Sequence, residues 1–193
     1  MKPKREPWVW IFSATGVVML IAMGIFIFSV VESRREGARV TASESPRTGG
    51  GVAPKGYETL ARVYPPAYRD LGGAHAERPP EFRTAIERYS QRDYTAAMAG
   101  LAAAIAKQPD LVEARLYLGI CYLFANDRPR GIAELRNVIE AGDTPYLEQA
   151  RFYLAKGLLG AGDISGARQQ LNDTIAMHGD LEQQAETLLI RVK

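Results

Sequence analysis

The 193-residue chain has one cysteine, Cys121, so no intramolecular disulfide can form and cysteine usage does not reveal the redox compartment. It has two histidines, His75 and His178, each isolated and without a Cys or His at metal-ligand spacing. No phosphate-binding loop, dinucleotide fingerprint or Gly-x-Ser-x-Gly elbow occurs; the glycine run at 49–51 lacks the Lys-Ser/Thr that a phosphate loop needs. These absences predict no catalytic residue, no cofactor, no metal and no enzymatic activity. Charge is also nearly balanced, at +2 overall. Residues 1–80 carry 11 Lys/Arg against 7 Asp/Glu and residues 81–193 carry 13 against 15, so the C-terminal part lacks the basic excess that nucleic acid requires.

The largest local absence is charge between residues 8 and 31, "WVWIFSATGVVMLIAMGIFIFSVV". As a helix this run is about 36 Å long at about 1.5 Å per residue, enough to cross a hydrocarbon core of about 30 Å with some tilt. Trp8 and Trp10 stand at its N-terminal edge and Lys2, Lys4 and Arg5 just outside it, the order expected of a headgroup boundary. The length and the lack of a small-x-small site argue against a cleaved signal, and the position of Cys121 argues against a lipoprotein. Arg34, Arg35 and Arg39 flank the other end, so charge alone does not orient the span. A short basic tail before a first apolar helix favours an uncleaved signal anchor, with the bulk of the chain on the non-cytoplasmic, periplasmic side.

Residues 32–56 are rich in Gly, Ser, Thr, Pro and charge and predict a flexible tether, spanning roughly 25 to 30 Å as a coil. Aromatics return at 57–71, where Tyr57, Leu60 and Tyr64 keep helical spacing up to Pro65-Pro66.

From residue 80 the chain repeats itself. The turns "QRDY", "ANDR" and "AGDI" place Asp93, Asp127 and Asp163 at separations of 34 and 36 residues. Before each turn come Ala85, then Leu118, Gly119 and Tyr122, then Leu154 and Ala155 with Leu158; after each come Ala97 with Leu101, Gly131 with Leu135, and Ala167 with Leu171. The aspartates read as turn and cap residues rather than an acidic site. Cys121 falls on the apolar run between Ile120 and Tyr122 and reads as a small buried hydrophobe.

This pattern resembles the tetratricopeptide repeat (TPR) family, whose 34-residue unit reads W-x2-L-G-x2-Y, then A-x3-F, then P. The second unit keeps Leu118, Gly119 and Tyr122, with Arg115 in place of the tryptophan; the first supplies Ala97, Leu101 and Pro109. The resemblance implies an α-α superhelix of about three repeats over 80–193, which completes an all-α reading with the N-terminal transmembrane helix (8–31) after a basic tail (1–7) and the linker (32–79). Its repeats would cover 80–110, 111–144 and 147–179, closed by a capping helix at 180–192 with Asp180 as N-cap and Leu181, Ala185, Leu188 and Leu189 as its buried stripe.

The resemblance also implies a concave protein-binding groove lined by the first helix of each unit. That surface would comprise Phe82, Ile86 and Tyr89, then Leu116, Ile120, Leu123 and Phe124, then Phe152, Lys156 and Leu159. It is apolar and would suit an amphipathic helix or apolar peptide. Alternatively the groove is filled from within by 57–71, which carries Tyr57, Leu60, Val63, Tyr64, Tyr68 and Leu71. The expected function is a single-pass, membrane-anchored adaptor that holds another protein at the cell envelope, its partners being that protein and the bilayer. The alternative is a regulatory or assembly subunit acting through 8–31, with the repeats structural.

Overall fold

The computed structural model describes residues 56–71 and 78–192. The basic tail, the apolar run 8–31, residues 32–55 and His75 lie outside the described residues, among which no helix is long and apolar enough to cross a membrane. The described residues are all-α, with no strand. The helices are α1 (Glu58–Ala61), α2 (Pro80–Ser90), α3 (Tyr94–Lys107), α4 (Val112–Phe124), α5 (Arg128–Glu140), α6 (Leu147–Ala161), α7 (Ile164–Ile175) and α8 (Glu182–Arg191).

Three connections of the same build turn this chain into hairpins. Arg92, Asn126 and Gly162 take left-handed backbone angles, φ 64°, 64° and 84°. Their amides bond back to the carbonyls of Tyr89, Leu123 and Leu159, while the amides of Asp93, Asp127 and Asp163 bond to Arg88, Tyr122 and Leu158. That pair of bonds is a Schellman ending, which satisfies carbonyls the finished helix would leave bare. The same three aspartates then start the next helix, accepting from the amides of Ala96 at 3.1 Å, Arg130 at 3.3 Å and Gly166 at 2.9 Å. One residue therefore ends a helix and caps its successor, and so short a link forces the two helices antiparallel.

Helices of 10 to 15 residues are marginal alone, so their stability comes from stacking. α2 packs on α3, α4 on α5 and α6 on α7; α3–α4 and α5–α6 contacts join the hairpins in series, and α8 covers α7. Ala97, Leu101, Leu135, Ala167 and Leu171 are fully buried. The expected packing residues Ala85, Leu118, Gly119, Gly131, Leu154 and Ala155 are buried as well, whereas Tyr122 is half-buried beneath the Arg130 guanidinium. At the α4–α5 crossing the bare backbones of Gly119 and Gly131 meet: a β-carbon on Gly131 would lie 2.9 Å from the Gly119 carbonyl and 2.6 Å from Leu123 Cδ2.

Two local expectations need correction. The helix at 57–64 stops at Ala61, because Arg62 turns extended and Tyr64, preceding a proline, is disfavoured in the helical region. Val63 is buried as a result and Tyr64 is 67% exposed. Asp180 does not cap the last helix: its carboxylate pairs with Arg69 at 2.9 Å, the N-cap is Leu181, and the Leu181 amide donates to Glu148 at 2.7 Å. Leu181 and Leu189 are half-buried on α8, where Ala185 and Leu188 are buried.

Candidate functional site

The face made by α2, α4 and α6 is lined with side chains that meet across the helices. Tyr89 and Tyr117 stand edge to face with ring centroids 5.0 Å apart, and Tyr117 meets Tyr68 at 5.3 Å. Tyr68 belongs to residues 56–71, which lie over this face as a strap.

The strap is fixed by polar contacts at its far half and by apolar burial at its near half. Tyr89 Oη donates to the Pro66 carbonyl at 2.7 Å, so the diproline turn is held by α2. The Arg69 amide donates to Tyr117 Oη at 2.9 Å, and Tyr68 Oη donates to Glu113 Oε1 at 2.8 Å, which fix the returning strand to α4. Arg78 then bridges Asp70, at 2.7 Å, to Glu113 Oε2, at 3.0 Å. Towards the N-terminus Leu60 and Val63 are buried, and α1 packs on α6.

The ten residues expected to form an open groove fall into three groups. Phe82, Tyr89, Leu116, Ile120, Leu123, Phe152 and Leu159 are buried in the helix array and beneath the strap; Ile86 and Lys156 are half-buried; Phe124 is 46% exposed. The apolar face is thus filled by the chain's own segment 56–71.

Glu113 was not singled out from the sequence. A signal was present: it sits three, four and seven positions before Leu116, Tyr117 and Ile120 on one helical stripe, where a carboxylate is out of place unless paired. Burial raises its pKa above the ordinary 4.5, outweighing the Tyr68 hydrogen bond and the Arg78 charge that act in the opposite direction. A carboxyl raised in the folded state holds its proton more tightly there than in the unfolded chain. Its contribution favours folding below the unfolded pKa and is lost as pH rises from about 4.5 through the folded value. Thermal midpoints between about pH 4 and about pH 8 should therefore decline less steeply for Glu113→Gln than for the unaltered chain. Parallel curves would remove this carboxyl from the pH response.

Cys121 is fully buried, and burial pushes its thiol up to about 12. No cation acts on it, so nothing favours the thiolate. An aromatic disulfide reagent should leave the native protein unlabelled and react with one thiol on denaturation. Cys121→Ala should cost about 1 kcal/mol, the order expected for a lost buried sulfur and a small cavity, and leave partner binding intact. Rapid native labelling would contradict this assignment.

Among the described residues no three His, Cys, Asp or Glu side chains are grouped as metal ligands. His178 is exposed in the turn between α7 and α8 and lies 3.0 Å from Glu182, four positions on. Beyond the covered face, two of the open cavities are lined by the strap's first half, and Lys156 lines both. No protein-family model matches this chain, and no curated protein is found to be similar to it.

Proposed function

We propose that the chain is a single-pass, membrane-anchored scaffold of tetratricopeptide-repeat type that holds another protein at the cell envelope, with the helical array on the periplasmic side. The observation that carries this reading is the thrice-repeated unit of Schellman ending and aspartate cap at 34- and 36-residue spacing. It stacks short hairpins in series, as repeat architectures built to present a binding surface do. The uncharged run 8–31 supports the anchor. Because the α2–α4–α6 face is already covered, the surface offered to a partner is the strap and the helix edges beside it.

The test replaces residues 8–31 with an unrelated membrane span and, separately, residues 78–193 with an unrelated soluble domain, followed by cross-linking in cells. A scaffold keeps its cross-linked partner in the first chimera and loses it in the second. The opposite pattern would support the subunit reading, in which the membrane helix makes the contact. Reporter fusions on each side of 8–31 fix the orientation.

A further inference from the structure

The nearer of the two cavities, about 410 Å³, opens between the strap, the end of α4 and the middle of α6. Three cations line it: Arg62 from the strap, Arg128 from the first turn of α5, and Lys156 from α6. None of the three has an acidic partner among the described residues, a condition they share with Arg83, Arg88, Arg92, Arg136, Arg168 and Arg191; what sets them apart is that they converge on one cavity. Arg62 is exposed, Arg128 and Lys156 are half-buried, and burial lowers the pKa of Lys156. Its one neighbour of note is the Phe152 ring, whose centroid is 5.7 Å from Nζ. A half-buried ammonium with no counter-ion is costly to keep charged, and an anion entering the cavity would remove that cost.

Arg128 is placed by the fold. Its side chain lies across Gly160, where a β-carbon would come within 2.5 Å of the guanidinium Nε, so the bare backbone makes room for it. The only carboxylate in the lining, Glu58, accepts from the Gly56 amide at 3.4 Å and makes no ion pair with the three cations.

Two further features distinguish a peptide from a small inorganic anion. Tyr64 and Phe124 are two of the exposed large apolar side chains, 67% and 46%, and both stand on this cavity. The adjoining backbone is extended at Arg62, and the amide of the exposed Tyr64 has no acceptor among the described residues. Cations and aromatic surface beside an extended backbone suit an extended chain that carries carboxylates next to an apolar side chain.

We propose that this cavity binds an internal acidic segment of a partner protein, with its carboxylates on Lys156, Arg62 and Arg128 and an adjacent apolar side chain against Tyr64 and Phe124. The proposal rests on the scaffold reading and locates its contact at the strap's edge.

The test is fluorescence anisotropy on the full chain with a labelled peptide, Asp-Phe-Glu-Glu-Leu, blocked as the C-terminal amide. Its control is the counterpart with Asn and Gln in place of Asp and Glu. The acidic peptide should bind at least tenfold more tightly, with an advantage that shrinks as salt is raised. Lys156→Met, which keeps the apolar stem, and the pair Arg62→Gln with Arg128→Gln should each weaken it at least tenfold without moving the thermal midpoint. Equal binding of the two peptides, or undiminished binding by both variants, would overturn the proposal. Displacement by millimolar inorganic phosphate as readily as by unlabelled peptide would also overturn it, because the cavity would then take any small anion. If the anchor-swapped chimera keeps its partner while Lys156→Met has no effect on either readout, the site fails and the scaffold reading stands. If the chimera loses its partner and the peptide still binds with the stated dependence, the scaffold reading fails and the site stands.

Discussion

Gly131→Leu is expected to leave little folded protein at 37 °C, the largest effect of any single substitution considered. The first carbon of the new side chain would meet Leu123 Cδ2 at 2.6 Å and Cγ at 2.7 Å, and the Gly119 carbonyl at 2.9 Å. Leucine 123 could turn aside, but the carbonyl belongs to a helix backbone and moves only if α4 separates from α5. Overpacking a core commonly costs about 1–3 kcal/mol, and more when backbone must shift. Separating α4 from α5 also disturbs α6, because Leu123 packs against Gly157. Gly119→Leu should act in the same sense, since its β-carbon would meet Leu135 Cγ at 2.9 Å and the Gly131 carbonyl at 3.2 Å. Gly131→Ala gives the graded control: about 1 kcal/mol better than glycine in helix propensity, yet exposed to the same first contacts. Denaturant midpoints for Gly131→Ala and Gly131→Leu should both fall, the second beyond measurement. A midpoint for Gly131→Ala at or above the unaltered value would mean that the two helices can part at little cost.

Removing the strap should have the second largest effect. A chain that begins at residue 78 loses Leu60 and Val63 from the core, the Tyr68–Tyr117 ring contact, and the hydrogen bonds to Glu113, Tyr117 and Tyr89. Burying one large aliphatic side chain is worth about 1.5–3 kcal/mol, and a hydrogen bond to a charged group about the same. Against this stands the entropy of ordering the strap, so the net loss is smaller than the sum. The truncated chain should melt at lower temperature and bind more of a hydrophobic dye, through the newly bared Tyr89, Tyr117 and Phe152. The narrower change Tyr68→Ala should reproduce part of the loss, because it leaves the buried Glu113 without its phenol donor. Unchanged melting and dye binding in the truncated chain would show that the strap rests on the array without contributing to it.

How much of this was legible in the residues follows from the range of the forces involved. The three turns could be read because each is local: an aspartate at near-constant spacing with the same small and apolar positions at helical period on both sides. Burial of Cys121 followed from the same period. The strap's path was left open, because an extended segment has no period of its own and its position is set by partners 23 to 48 residues away. The misplaced cap at Asp180 has the same origin. Its competitor for the helix end, Glu148, and its actual partner, Arg69, are respectively one hairpin and 111 residues distant in sequence. Which of the ten candidate groove residues a partner could touch was left open for a related reason: helix period identifies which side chains are apolar, and burial by a distant strap decides which of them are covered.

The strap also determines how force enters the array. Tension applied to the chain before Gly56 meets α1, Leu60 and Val63 first. These contacts are apolar and follow one another along the strand, an arrangement that peels at low load one contact at a time. Beyond the diproline the load meets Tyr68, Arg69 and the Arg78 bridge between Asp70 and Glu113, which act side by side and yield together. The strap therefore behaves as a weak spring in series with a stiff one and passes its load sideways into the array: into α6 through α1 while the near half holds, and into α4 through the clamp at Glu113 once the near half has given way.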